Sequence, residues 1–229
     1  MRRAAGLALV LAAGVVLPLT GQEPDMAAQL GRTTPPEVLR AVQAIASSAA
    51  AKGLPAGPLI QKAIEGGAKG VPAERVIGAV RALAAQLEAA AGALRSGGID
   101  HPDADVVEGG AYALGAGLNV DQVRELVRTS HPPYDPAVTL RVAATLAALG
   151  VSPKTTVDVV EDAINAGRSP SDLLDLPSEL QARVAHGATP AQAAHALGRA
   201  APHAPPAPPA PPGRPPGWAP PGQQKPHKP

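Results

Sequence analysis

Apolar residues recur along the middle of the chain with the spacing of an α-helical face. Between Pro35 and about Leu197 they stand three and four residues apart, and no stretch alternates with the period of a strand. We therefore predict an all-α fold. The predicted stripes are Val38, Leu39, Val42, Ile45 and Ala46; Val76, Val80, Leu83 and Leu87; Val123, Leu126 and Val127; Val138, Val142, Leu146 and Leu149; and Val157, Val160 and Ile164.

Recurrent glycine turns separate these helical stretches. Gly150, Gly167 and Gly187 each begin a Gly-x-Ser/Thr-Pro sequence, in which Gly ends one helix and Ser or Thr followed by Pro starts the next. Shorter turns follow Gly53 and Gly70, and a proline-free one follows Gly117. An apolar residue after the Gly packs back on the finished helix, and Leu54, Val71, Leu118 and Val151 suit this role.

The spacing of the turns indicates short helices joined in sequence. Gly53 and Gly70 are 17 residues apart, as are Gly150 and Gly167, whereas Gly97-Gly98 and Pro132-Pro133 interrupt the register. We predict an irregular antiparallel helical bundle or a short helical array, the second being a degenerate helical repeat. At its start, Thr34 and Glu37 match a capping box, with Pro35 as the first helical residue.

The two ends of the chain differ from this body. Residues 1–21 combine two arginines with a short apolar run and a small residue, Gly21, which is typical of a secretory signal peptide. We therefore expect a periplasmic or secreted protein, touching the membrane only if the signal stays uncleaved. Residues 22–33 form a linker, 34–199 the helical domain, and 200–229 a disordered proline-rich tail with 13 of the 28 prolines.

Composition and charge exclude several classes of function. The chain has no Cys, which excludes thiol catalysis, a disulfide framework and a cysteine-ligated metal. Between residues 22 and 200 there are 15 basic and 19 acidic side chains, a net charge of −4, which disfavours nucleic-acid binding. Aromatic residues make up only 1% of the chain, so few rings are available to stack on sugars or bases.

The densest polar cluster lies at the start of a predicted helix. His101, Asp103 and Asp105, with Asp100 and Glu108 nearby, are residue types that ligate metals. Their spacing matches neither a calcium loop nor the helical zinc motif. We interpret the cluster as a helix start, with Pro102 in the first turn and acids near the positive end of the helix dipole. We predict no metal and no cofactor, and retain a metal site at His101, Asp103 and Asp105 as the competing hypothesis.

Other polar segments have simple structural interpretations. The segment from His131 to Asp135 is either a binding loop or, as we favour, a rigid turn between helices. His186 and His195 lie on neighbouring helices without an evident third ligand, and we interpret them as surface residues. Gly115-Ala-Gly117 follows a helical stretch and lacks the third Gly of a dinucleotide loop, so it indicates a helix end. Glu161 and Asp162, with Asp158, are interpreted as a solvated helix face.

These observations favour binding over catalysis. No nucleophile elbow, phosphate loop or paired-histidine motif is present, so we expect no enzyme. Our leading hypothesis is an exported helical scaffold or protein-interaction module of the bacterial envelope. Its partners are proteins or the cell-wall layer, reached through the proline-rich tail. The competing hypothesis is a periplasmic protein that binds a small ligand or a metal.

Overall fold

A computed structural model of the chain describes residues 35–199, and this part is all-α, as the apolar periodicity predicted. The signal peptide (1–21), the linker (22–33), Thr34 and the proline-rich tail (200–229) lie outside the described residues. The helices are α1 (Pro36–Ala51), α2 (Gly57–Ala68), α3 (Ala73–Ser96), α4 (Ala104–Gly115), α5 (Val120–Thr129), α6 (Pro136–Ala148), α7 (Pro153–Asn165), α8 (Pro170–Ala185) and α9 (Pro190–Gly198).

Most helix starts are fixed by a side-chain cap. The residue before each of α4 to α9 accepts a hydrogen bond from a backbone amide of the first turn, which satisfies a donor that has no partner within the helix. Ser152, Ser169 and Thr189 do so as predicted. Helix α1 instead begins at Pro36, after Pro35 and without a side-chain cap, one residue later than predicted.

Seven of the eight connections among the described helices end the preceding helix in the same way. A Gly with positive φ is followed by a residue whose amide donates back five residues; Val151 N, for example, donates to Leu146 O at 3.2 Å. This is the Schellman geometry, and it requires the left-handed conformation, such as φ +92° at Gly150, that Gly adopts without strain. Six of these glycines were predicted. Gly98, interpreted from the sequence as a break in register, is the seventh.

The core consists of aliphatic side chains and many alanines. The predicted stripes are mostly buried, and six of their residues are half-buried: Leu39, Ile45, Leu83, Val138, Leu149 and Ile164. Close helix approach compensates for the lack of large rings. A Cβ on Gly109 would lie 3.1 Å from the carbonyl oxygen of Ala137, and one on Gly110 would lie 3.0 Å from Ala90 Cβ. The paired glycines therefore let α4 approach both α6 and α3 closely.

Packing between helices is local along the chain. Every substantial contact joins helices that are adjacent or two places apart in the sequence order. Helix α1 packs on α3, α3 on α5, α5 on α7 and α7 on α9, while α4 packs on α6 and α6 on α8. Among the helix pairs two places apart, only α2 and α4 make no substantial contact in the described part of the chain. Contacts that stay between neighbours define an extended array, rather than a bundle in which distant helices close around one core.

Helix α3 is the centre of the first half of the array. Among the described residues it is the one helix long and apolar enough, by length and composition, to cross a membrane. We expected membrane contact through the signal segment alone, whereas α3 also has the length and composition to cross a membrane. Its packing against α1, α2, α4 and α5 buries 33% of its most apolar window.

Candidate functional site

The polar cluster around His101 forms the start of α4. Asp103 is the cap residue, and its Oδ1 accepts a hydrogen bond from Val106 N at 3.0 Å. Pro102 precedes the cap instead of lying in the first turn, which corrects our assignment of that residue. Asp105 lies in the first turn, 3.5 Å from Arg141 Nη2 of α6. Capping and ion pairing thus engage the two aspartates, whereas His101 is exposed.

In this region, the surroundings of Glu108 shift the pKa of its carboxyl. The side chain is half-buried on α4, and this burial raises the pKa of its carboxyl above the ordinary value. The Asp105 carboxylate raises the pKa of Glu108 further, and the Arg141 guanidinium partly offsets both effects. The raised pKa therefore reflects partial burial beside a like charge.

The described histidines and acids do not converge on a common point. Within residues 35–199, no three His, Asp or Glu side chains are grouped as ligands for a metal ion. His186 ends α8 and His195 lies on α9, and both are exposed. The metal site at His101, Asp103 and Asp105 remains a hypothesis that the geometry does not favour.

The segment from His131 to Asp135 is a turn that ties two connections together. Tyr134 donates from its hydroxyl to the carbonyl oxygen of Arg168 at 2.6 Å. Asp135 caps α6 by accepting from Ala137 N at 2.8 Å. The turn between α5 and α6 is thereby fastened to the turn between α7 and α8, as expected of a structural segment.

Arg168 occupies the position after the turn glycine, where the other glycine turns carry an apolar residue. It directly follows Gly167, yet its side chain is only 1% exposed. Its Nη2 lies 2.6 Å from Glu179 Oε1 of α8, whereas Nε and Nη1 have no hydrogen-bond partner. The ion pair joins the turn after α7 to α8, and we assign it to the anchoring of α8.

Glu161 lies on the side of α7 that faces α5. It is half-buried, and its Oε1 accepts a hydrogen bond from the Thr129 hydroxyl at 2.9 Å, which connects α7 to α5. Asp158 is half-buried as well and pairs with Lys154 of the same helix, whereas Asp162 is exposed. The three acids thus lie on a partly solvated face, from which Glu161 also contacts α5.

The most distinctive surface lies where α2 and α4 fail to pack on each other. A groove of about 440 Å³ runs between them with α3 as its floor. We call it the Tyr112 groove. Its apolar lining includes Pro58 of α2, Ala79, Ala82 and Leu83 of α3, and Tyr112 of α4.

Tyr112 supplies the one exposed aromatic ring of the described residues. Its side chain is 50% exposed, while the adjacent Ala111, which also lines the groove, is buried. The ring therefore borders the groove instead of filling the core. Half-exposed tyrosines are favoured at binding surfaces because the ring offers apolar area and the hydroxyl remains hydrated.

Charged residues lie along the α2 side of the groove and pair with one another. Glu65 accepts hydrogen bonds from Lys69 and from Lys62, and these two cations hold the pKa of the Glu65 carboxyl below its usual value. Gln86 of α3 is the polar side chain on the floor. The groove is thus apolar along its centre, with an edge at which two lysines and one glutamate carry a net charge of +1.

A second apolar groove, of about 280 Å³, lies between α1 and α3. It is lined by Ile45, Leu54 and several small residues, and the ion pair between Lys52 Nζ and Glu88 Oε2, at 2.8 Å, lies along it. It contains no aromatic ring. For this reason we regard the Tyr112 groove as the candidate functional site.

Neither central feature of this surface was singled out from the sequence. Tyr112 follows a buried stretch of α4, and periodicity alone does not reveal that α2 leaves its side of α4 uncovered. The sequence did contain a signal that Arg168 is unusual. At the other predicted glycine turns the residue after the Gly is apolar: Leu54, Val71, Leu118, Val151 and Ala188.

The fold and its groove define a class: a short helical array with an exposed apolar groove between non-packing helices. Comparison of the chain with protein-family models, with curated proteins and with solved structures finds no match. The groove itself is therefore the feature from which a function can be proposed.

Proposed function

We propose that the protein is a protein-interaction module whose Tyr112 groove binds an extended segment of a partner. The observation that carries the proposal is the gap between α2 and α4. These two helices make no substantial contact, so α3 stays uncovered between them, and the half-exposed ring of Tyr112 lies beside the gap. Removing such apolar area from water is the main driving force for association.

The apolar lining of the groove supports a peptide ligand rather than a charged small molecule. The charged residues Lys62, Lys69 and Glu65 lie at one edge, where the two cations share a single carboxylate. We propose binding rather than catalysis because no nucleophile and base were found together in the sequence or around the groove. The proposal places the module in the bacterial envelope, on the strength of the signal-like residues 1–21.

Site-specific photo-crosslinking in the producing cells tests the proposal. A photoreactive residue at Ala82, on the groove floor, should give discrete adducts of higher mass. The matched control is Ala85, which is exposed on the same helix and does not line the groove. Equal adducts at the two positions, or none at Ala82, would count against a binding groove.

N-terminal sequencing of the same material should find a start near Gln22.

A further inference from the structure

We propose that the Tyr112 groove takes an extended segment with apolar side chains at alternate positions and acids between them, and that residues 23–30 of this chain are one such ligand. The inference rests on the proposed function and identifies the groove's ligand. Residues 23–30 belong to the predicted linker, which directly precedes α1.

The sequence of residues 23–30, Glu-Pro-Asp-Met-Ala-Ala-Gln-Leu, alternates with a period of two. In an extended chain successive side chains point to opposite sides. The four even-numbered residues from Pro24 to Leu30 are all apolar and would share one side, whereas Glu23 and Asp25 would lie on the other. One side of the segment is therefore suited to an apolar floor, and the other presents two carboxylates.

Helix α1 begins at the end of the array where α2 finishes. Because short turns join α1 to α2 and α2 to α3, and α1 packs on both, α1 runs parallel to α3. The ion pair between Lys52 and Glu88 places these two residues at the same level. Sixteen residues before them stand Pro36 and Pro72, so α1 and α3 begin level with each other. The groove starts at Ala79, about 10 Å further along α3 at about 1.5 Å per residue.

Residues 23–30 are close enough to α1 to reach the groove. The groove lies beyond α2, at most two interhelical steps from α1, or about 20 Å at about 10 Å per step. Combined with the displacement along α3, this gives a distance of about 22 Å from the start of α1 to Ala79. The eight residues from Ala28 to Pro36 span up to about 26 Å, at about 3.3 Å per residue. Ala28 can therefore lie beside Ala79.

Tyr112 marks the far end of the groove. The glycines on either side of it along α4 approach α3 at Ala90 and at Gln86. Tyr112 is therefore level with about residue 88 of α3. That level is nine residues beyond Ala79, or about 13 Å.

The apolar side of the segment matches this length. Four residues of extended chain, from Ala28 to Pro24, also span about 13 Å. With Ala28 beside Ala79, Pro24 reaches the half-exposed ring of Tyr112, a favourable partner for a proline ring. Met26 lies between them, over the apolar floor of the groove.

Charge favours the same contact. Glu23 and Asp25 are the two charged side chains of residues 22–31, whereas two lysines and one glutamate give the α2 edge of the groove a net charge of +1. Opposite charges increase the time that the segment spends near the groove. Because the segment is tethered to α1, its effective concentration is high even when its intrinsic affinity is low. A partner of similar chemistry would compete with it.

Disulfide trapping in the full chain tests the inference, since the sequence has no Cys to interfere. One variant pairs Ala79→Cys, in the groove, with Ala28→Cys. The control pairs Ala68→Cys with Ala28→Cys. Ala68 is exposed at the end of α2 and does not line the groove. It lies closer than Ala79 to the start of α1, so an undocked segment meets it more often.

Docking predicts the opposite order. Under mild oxidation the 28–79 bridge should form faster than the 28–68 bridge. Met26→Ser and Tyr112→Ala should each slow the 28–79 bridge about five- to tenfold and leave the 28–68 bridge no slower. A faster 28–68 bridge, or a 28–79 bridge that either substitution leaves unchanged, would overturn the proposal. Dimers linked through 28–79 would overturn it as well, because the segment would then not serve its own molecule.

The result separates this inference from the proposed function. If the 28–79 bridge forms slowly while the photoreactive residue at Ala82 still forms adducts with another protein, the groove binds a partner and residues 23–30 are not its ligand. A fast 28–79 bridge without adducts at Ala82 would assign the groove to the chain's own segment alone. If both experiments fail, the groove has lost its functional assignment altogether.

Discussion

At the scale of single residues, Arg168 is the most consequential side chain of the core. It is buried at a position where six other turns carry an apolar residue, and Glu179 is its one side-chain partner in the structure. A buried ion pair contributes little over an apolar replacement, whereas breaking it leaves an uncompensated charge.

We therefore expect the two members of this pair to respond differently to substitution. Glu179→Ala should lower the free energy of unfolding by about 3–5 kcal/mol, because the Arg168 charge stays buried. Arg168→Leu should cost far less, because it restores the side-chain type found at the other turns. Urea unfolding of the two variants and the double variant gives the comparison. Equal losses would show that the pair stabilises the fold outright.

Because the pKa of Glu108 is raised, we expect the effect of substituting it on stability to depend on pH. The folded state favours the protonated acid, so the ionised carboxylate opposes folding above its folded pKa, and this effect disappears as the pH falls below its unfolded value. Glu108→Gln should therefore raise the thermal midpoint near pH 7 and leave it little changed near pH 3.5. Melts across this range test the sign. A variant that is less stable at pH 7 would show that the carboxylate makes a favourable contact there.

At the scale of helices, the close approach of α4 to α6 depends on Gly109. Gly109→Ala would place a methyl group 3.1 Å from the backbone oxygen of Ala137. Because backbone cannot move aside cheaply, we expect a loss of about 1–3 kcal/mol in unfolding free energy. The matched control is Gly92→Ala on α3, where a Cβ meets nothing within 4 Å. It should gain about 0.5–1 kcal/mol from helix propensity. The same sign for both variants in denaturant melts would contradict this account.

Local signals predicted the helices well because each is encoded by neighbouring residues. Ser152, Ser169 and Thr189 were identified as caps, and Gly150, Gly167 and Gly187 as helix ends, from a few positions each. Adjacent residues do not, however, encode which helix packs against each helix face. The exposure of Tyr112 and the half-burial of Leu83 both depend on α2 and α4 staying apart, which periodicity along one helix does not determine.

At the scale of the whole molecule, the tail should add little to the stability of the array. A proline-rich segment without an apolar pattern is not expected to pack on the array, and even about 1 kcal/mol would equal only about 2–4 °C for a body of this size. Deleting residues 201–229 should therefore shift the thermal midpoint by no more than a few degrees. Differential scanning calorimetry of the full and shortened chains provides the measurement. A loss of more than about 10 °C would make the tail an integral part of the fold.

The contacts between near neighbours along the chain also determine how the molecule is expected to assemble. Each helix finds its partners within the next two helices, so no step waits for remote parts of the chain to meet. Chains with such low contact order fold quickly, and stacked repeats add units onto any stable pair. The terminal helices α1 and α9 have neighbours on one side only and should open first, so that loss of structure proceeds from the two ends by fraying.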